Sequence, residues 1–224
     1  MVKQLNKNKM KIAFAGTSGS GKTTLATWLA KEMELPYISG SSGDLKNLED
    51  KEYLKAKFGF EGNAGHSNVI QESHKNPMLG FEIQRIVRRR RSQLIRNNPE
   101  FVTDRSPIDN WVYFMMQSGI YQSEAACGRF LEECYISTSH LDYLIYVPSL
   151  LNVIEDNGSR VANIYVQKMV DSFFDSSFKA FQKTMDRDNR CKTKLIVITM
   201  QDLQKRKDYL LTALGKRDKT TDTI

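Results

Sequence analysis

Long hydrophobic runs are missing from this chain. Its longest apolar stretches, such as Leu195 to Thr199 and Tyr143 to Val147, are strand-length and fall far short of the roughly 20 residues a helix needs to cross a bilayer. No membrane partnership is expected. Cysteine is also scarce: Cys127, Cys134 and Cys191 form no CxxC pair and lie apart in sequence from the three histidines. Neither a zinc site nor a disulfide framework is written here, and a reducing cytosol fits that usage. With only 13 Gly and 5 Pro among 224 residues, 40% hydrophobic and 26% charged, collagen-like and disordered classes are excluded. One large globular domain over residues 1–224 is expected. The opening MVKQLNKNKMK is basic and polar with no signal-like apolar run behind it, so export is not expected. Acidic charge is the minority sign, 26 Asp and Glu against 33 Lys and Arg for a net +7. That excess suits polyanionic ligands such as nucleotides or nucleic acid, or serves solubility alone.

What is present is alternation. Apolar, β-branched runs at Lys11 to Ala15, Tyr37 to Ser39, Phe101 to Thr103, Tyr143 to Val147 and Leu195 to Thr199 read as strands. Helical patterns fill the gaps at Thr23 to Met33, Pro77 to Arg96, Pro107 to Met116, Glu124 to Ile136, Val161 to Met185 and Leu203 to Leu214. Strands alternating with helices predict an α/β protein on a parallel sheet. The least regular stretch, residues 40–76, sets loop formers around one helical patch near Leu48 to Phe58 and reads as an acceptor-side insertion.

Directly after the first strand comes GTSGSGKT, a full GxxxxGK[ST] match that opens into a helix. Gly16, Gly19 and Gly21 let the backbone curl with positive φ, so that the amides of the loop, Ser18 and Ser20 included, turn inward. Those amides and the positive end of the following helix would cradle the phosphates of ATP. Lys22 can reach the β- and γ-oxygens, the Thr23 hydroxyl is placed for Mg²⁺, and Thr24 is expected to face the α-phosphate.

Three further segments carry chemistry. FVTDRSPIDN runs a strand out into Asp104 and Arg105 at its carboxyl end, the edge of a parallel sheet where ligands bind. A carboxylate there can hold Mg²⁺ with its waters or accept a proton, and an arginine can grip phosphate. Ser106, Pro107 and Asp109 read as a capping box with proline at the first helical position. Asp44, in the Gly-Ser loop after the second strand, rivals Asp104 as general base. IEDNGSR follows the fourth strand; Arg160 is either a finger over the γ-phosphate or a surface arginine. The helix PMLGFEIQRIVRRRRSQLIR aligns Leu79, Ile83, Ile86, Val87 and Leu94 on one face, with Arg85, Arg89 and Arg96 opposite. Arg90 interrupts the apolar stripe and needs an anion; Gln84, Arg88 and Arg91 border it. These four either flank an acceptor, with Gln84 on a base edge and Arg90 or Arg91 on a phosphate, or snorkel to water.

In order, GTSGSGKTTLA, the long helix, VTDRSPIDN, IEDNGSR and LIVIT resemble the small P-loop nucleoside and nucleotide kinases from Met10 to about Leu214. Within them the chain looks most like the branch with bacterial nicotinamide riboside kinase and many viral kinase-like proteins. The resemblance implies a three-layer sandwich with a five-stranded parallel sheet in the order 2-3-1-4-5. It also implies ATP and Mg²⁺ as cofactors, Asp104 and Arg105 on the acceptor and metal side, and a lid at about 148–160 bearing Arg160. PYISGSSGDL stands where a recognisable acceptor motif is expected. The acceptor implied is a free nucleoside or nucleotide. Alternatively it is a hydroxymethylated pyrimidine inside DNA, as for some viral relatives, which would place the protein in the host cytoplasm. A nucleotide-gated DNA-binding ATPase is a further alternative. No NKxD or DxxG segment supports a GTP switch, and Asp-Arg replaces the Asp-Glu pair of an AAA-type motor.

Overall fold

Five strands, β1 (Lys11–Ala15), β2 (Tyr37–Ile38), β3 (Phe101–Thr103), β4 (Tyr143–Tyr146) and β5 (Lys194–Val197), form one all-parallel sheet in the order β2-β3-β1-β4-β5. This is the P-loop kinase fold that the resemblance implies. The computed structural model describes residues 9–40, 48–60, 72, 75–149, 163–188 and 191–215. Central β1 aligns Lys11 with Phe101 and Ala13 with Thr103 on one side, and Ile12 with Tyr143 and Ala15 with Tyr146 on the other.

Side-chain alternation along β1 builds the layers. Ile12 and Phe14 point to one face, where α1 (Lys22–Glu32) and α7 (Leu203–Ala213) supply Leu25, Leu29 and Leu210. Ala13 and Ala15 point to the other, where α4 (Pro107–Gln117), α5 (Glu124–Thr138) and α6 (Ile164–Arg187) supply Val112, Phe114, Phe130, Phe174 and Phe178. Phe114 and Phe130 stack with centroids 4.2 Å apart, a pairing that adds ~0.5–1.5 kcal/mol to simple burial. Beyond that layer lie α2 (Leu48–Phe58) and α3 (Pro77–Asn97), joined by Leu54 packing on Leu79, Ile83, Ile86 and Val87.

Helix starts follow their capping chemistry. The Asn76 side chain accepts from the Leu79 amide with Pro77 next to it, and the Asp109 carboxylate accepts from both the amide and the hydroxyl of Ser106 at 2.8 Å. β4 and β5 end earlier than their apolar runs, at Tyr146 and Val197, because the outermost residues leave the ladder. Single bonds still tie Val147 to the Ala15 carbonyl and Ile198 to the Tyr146 carbonyl. The α3 face differs more. Ile95, Glu82, Gln84, Arg91 and Ser92 are buried beside the expected stripe, because α3 is covered by α2 on one side and by α4 and α5 on the other. Arg85, Arg89 and Arg96 are exposed, as the helical spacing requires.

Candidate active site

β1 delivers the chain to the carboxyl edge of the sheet, and there the phosphate loop turns on its glycines. Gly16, Gly19 and Gly21 take φ of 141°, 82° and 92°, as expected for a loop whose amides face inward. At Gly16 a Cβ would also lie 2.2 Å from the Val147 carbonyl oxygen, so the loop closes directly onto the end of β4. Lys22 begins α1 and is buried; its ammonium donates to the Thr17 carbonyl at 2.5 Å and to Ser20 Oγ at 3.5 Å. Ser18 is half-buried at the loop's crest, while Thr23 and Thr24 are exposed on the first turn of α1.

β3 brings the second part. Asp104 is 5% exposed at the strand's end, where it accepts from the Thr23 hydroxyl at 2.6 Å and from the Gly40 amide at 2.9 Å. Burial alone would raise its pKa. The hydrogen bonds from Thr23 and Gly40, the Arg105 charge and the Tyr37 hydroxyl outweigh it and hold the carboxyl below its ordinary value. Tyr37 responds in the opposite sense, its phenol pushed up by burial and by Asp104. The two residues expected to serve Mg²⁺ are thus neighbours. A hydroxyl and an ionised carboxylate are hard oxygen donors, and among the described residues there is no three-residue His, Cys, Asp or Glu cluster. That set fits Mg²⁺, which takes one or two protein oxygens and fills its shell with phosphate and water.

Arg105 ion-pairs with Asp109 at 3.1 Å, so Asp109 both caps α4 and orients the arginine. The guanidinium lies 5.9 Å from the centroid of the Tyr113 ring. Burial opposes its charge, but Tyr113 and Asp109 more than compensate and raise its pKa. Gly40 closes the space between β2 and β3: a Cβ there would lie 2.6 Å from Arg105 Cβ and 2.8 Å from the Thr103 hydroxyl.

The other candidates are placed as follows. Arg91 is buried and donates to the Gly40 and Ser106 carbonyls, each at 3.0 Å, and to the Asn110 side chain, so it braces the segments that leave β2 and β3. Gln84 gives its amide nitrogen to Gln117 at 2.9 Å and receives the Asn110 amide at 3.4 Å. Arg88 pairs with Glu133 at 2.7 Å and lies over the Phe130 ring, and Arg90 pairs with Asp50 of α2, which Arg89 also approaches at 3.5 Å. Each side chain of the arginine run therefore meets a protein partner. Asp44 and Arg160, with most of the 40–76 insertion and of the 148–160 segment, lie outside the described residues.

Three groups at the site carried no signal in the sequence. Gly40 and Tyr113 belong to a turn-rich loop and to an ordinary amphipathic helix. Arg206 belongs to a lysine- and arginine-rich helix start, QKRKD. It is buried and donates to the Ser20 carbonyl of the phosphate loop at 2.9 Å and to the Met200 carbonyl at 2.7 Å. Burial lowers its pKa.

Comparison with solved structures returns the same architecture. Deoxyadenosine kinase from M. mycoides with bound dCTP superposes with a TM-score of 0.53 at 14% identity, over 93% of this chain and 100% of that one. The same enzyme with dCMP and a flexible dCDP gives 0.55 at 14% identity over the same shares. With bound dATP it gives 0.52 at 14% identity, over 92% of this chain and 99% of that one. At that identity the likeness is one of fold. No curated protein matches the sequence. Among the described residues no helix is long and apolar enough to cross a membrane. A family model described as an AAA domain, AAA_28, matches residues 11–190, and the chain belongs to that family.

Proposed function

We propose that this protein is an ATP-dependent kinase that moves the γ-phosphate of ATP to a hydroxyl or phosphate of a free nucleoside or nucleotide. The observation that carries the reading is the 2.6 Å hydrogen bond between Thr23, in the phosphate loop, and Asp104, at the end of β3. It joins a nucleotide cradle to an ionised carboxylate that Arg105 follows on the acceptor side.

The roles follow from the chemistry of each group. Lys22 and the loop amides bind the β- and γ-phosphates and stabilise the charge that spreads over the transferring group. Thr23 and Asp104 would hold Mg²⁺, which would supply positive charge against the developing negative charge of the transferred phosphoryl group. A carboxyl held below its ordinary pKa is a good metal ligand and a weak Brønsted base. Asp44, which lies outside the described residues, rivals Asp104 for the proton of an acceptor hydroxyl. Arg105, fixed by Asp109, grips phosphate from the acceptor side, and Arg160 closes over the γ-phosphate. Gln84 and Arg91 shape the acceptor edge through Asn110, Ser106 and Gly40.

The internal partners of Arg88, Arg89, Arg90 and Arg91 favour a free acceptor over DNA, because these side chains already meet carboxylates or carbonyls. The test is transfer from labelled ATP to a panel of nucleosides, nicotinamide riboside, nucleoside monophosphates and duplex DNA containing hydroxymethyl pyrimidines. Label on a free acceptor supports the reading. Label only on DNA replaces it with the DNA-kinase alternative, and hydrolysis without transfer replaces it with a nucleotide-gated ATPase.

A further inference from the structure

Arg206 joins the last helix of the sheet's α1 face to the phosphate loop. Asp202 caps α7 by accepting from the Lys205 amide at 2.8 Å, which fixes the helix start one turn before Arg206. One turn further on, Leu210 is fully buried against the cluster that holds Leu25 and Leu29 of α1. Residues four apart share a helix face, so the docking that buries Leu210 also carries the guanidinium onto the loop. There Nη1 donates to the Ser20 carbonyl at 2.9 Å and Nε to the Met200 carbonyl at 2.7 Å. The same Nη1 lies 3.2 Å from the place a Cβ of Gly21 would occupy, so it rests directly on the loop backbone.

The side chain is 4% exposed, its acceptors are neutral carbonyls, and no carboxylate among the described residues pairs with it. A buried charge without an anion is costly, and a well-packed apolar side chain would hold α7 on α1 with less penalty. What the guanidinium adds is direction. A peptide group is planar, and in the trans form its C=O and N–H point opposite ways; no cis peptide occurs among the described residues. Holding the Ser20 carbonyl toward α7 therefore turns the Gly21 N–H away from α7. Gly21 is the N-cap of α1 with φ of 92°, and the first amides of a helix find no acceptor inside it. Glycine also lets the peptide before it rotate at little cost, so its orientation must be set from outside.

We propose that Arg206 is a positioning residue of the phosphate loop, which holds the Ser20–Gly21 peptide so that the Gly21 amide faces the phosphates of a bound nucleotide. The inference rests on the nucleotide-binding part of the reading above and is independent of the acceptor. Its signature lies in affinity for the phosphate chain, with or without a nucleoside attached.

The test compares the full-length parent with Arg206→Lys and Arg206→Met, using fluorescent mant-ADP and its displacement by inorganic pyrophosphate, both with Mg²⁺. Melting temperature without ligand is measured alongside. Lysine keeps the charge but lacks the planar fork that serves two carbonyls at once, and methionine lacks both. Arg206→Met is expected to weaken mant-ADP and pyrophosphate by the same factor, roughly 10- to 100-fold, the scale of one hydrogen bond to a charged group. Arg206→Lys should weaken both by roughly threefold or more, since a point charge does not replace the fork. In protein carrying isotope-labelled glycine, ADP should move the Gly21 amide resonance downfield in the parent and by less than about half as much in either variant. A merely structural arginine would lower the melting temperature and leave both affinities and the Gly21 shift of the folded protein as in the parent. Parental affinity in Arg206→Lys, a loss for mant-ADP without one for pyrophosphate, or a parental Gly21 shift in the variants would overturn the proposal. Should Arg206→Met fail to fold, Arg206→Lys decides by the same readouts. A parent that binds neither probe would bring down the nucleotide site itself, whereas failure of every acceptor to take label leaves this measurement intact.

Discussion

Lys22 is buried with its charge turned over the loop, which means that its removal acts on chemistry more than on packing. Lys22→Ala is expected to keep the melting temperature within a few degrees and to lower kcat roughly 100- to 1,000-fold, the usual loss when a donor to the transition state is deleted. Asp104→Asn should act through the metal instead: the midpoint of a Mg²⁺ titration of activity moves up by about tenfold or more. The acid limb of stability tests the same carboxyl. Its folded pKa lies below the unfolded value, so the ionised form favours the native state. That contribution is complete above the unfolded carboxyl range near ~4 and is lost as pH falls through the folded value. Urea melts of the parent and of the Asp104→Asn variant at a series of pH values should differ by an amount that is flat from neutral pH down to about 5 and shrinks below it. Of these residues Lys22, Thr23 and Asp104 were legible in the sequence, because each sits at a fixed offset from a strand end. Tyr113 was not, since an aromatic on a buried helix face usually means core, and only the fold shows that its ring lies near the Arg105 guanidinium.

Elements are positioned by packing whose tightness can be tested one position at a time. Gly40→Ala would push a methyl into Arg105 and Thr103, and is expected to cost ~1–3 kcal/mol in chemical denaturation together with a loss of activity. α2 docks on α3 through Leu54 and through Asp50, which draws in Arg90 and Arg89. Asp50→Ala should loosen that helix by about 1–3 kcal/mol, less than a fully buried pair because Arg90 still touches water. Hydrogen exchange should show the α2 amides opening faster while those of β1 and β4 stay protected. Strand and helix locations were legible because periodicity and caps agree: the Asn76-Pro77 and Ser106-Pro107 starts fall where the sequence places them. The function of the arginine run was less legible. Helical spacing shows that Arg90 needs an anion, yet only tertiary structure identifies that anion as Asp50.

For the whole molecule the question is how the +7 charge is spent. If DNA were held through residues 88–91, each phosphate neutralised by one of these arginines would add about 0.9 to the log-log salt slope of binding, and an alanine there would take that increment away. Because those side chains meet Glu133, Asp50, and the carbonyls of Gly40 and Ser106, substitution of Arg88 or Arg89 by Ala is expected to leave the slope unchanged. A titration of duplex DNA binding against salt measures it, and a slope that falls by about one such increment or more would return DNA to the acceptor site. Net charge was readable from composition; its distribution was not, since carboxylates that neutralise a helix come from other elements.

The bond from Arg206 to the Ser20 carbonyl spans 186 positions of sequence. During synthesis the guanidinium that covers the phosphate loop is added 186 residues after the carbonyl it binds. A nascent chain stopped before α7 already carries the whole GTSGSGKT motif without its outer brace. The loop gains that brace only once α7 has been translated and folded against it, so a truncation before Arg206 leaves the Ser20 carbonyl without this donor.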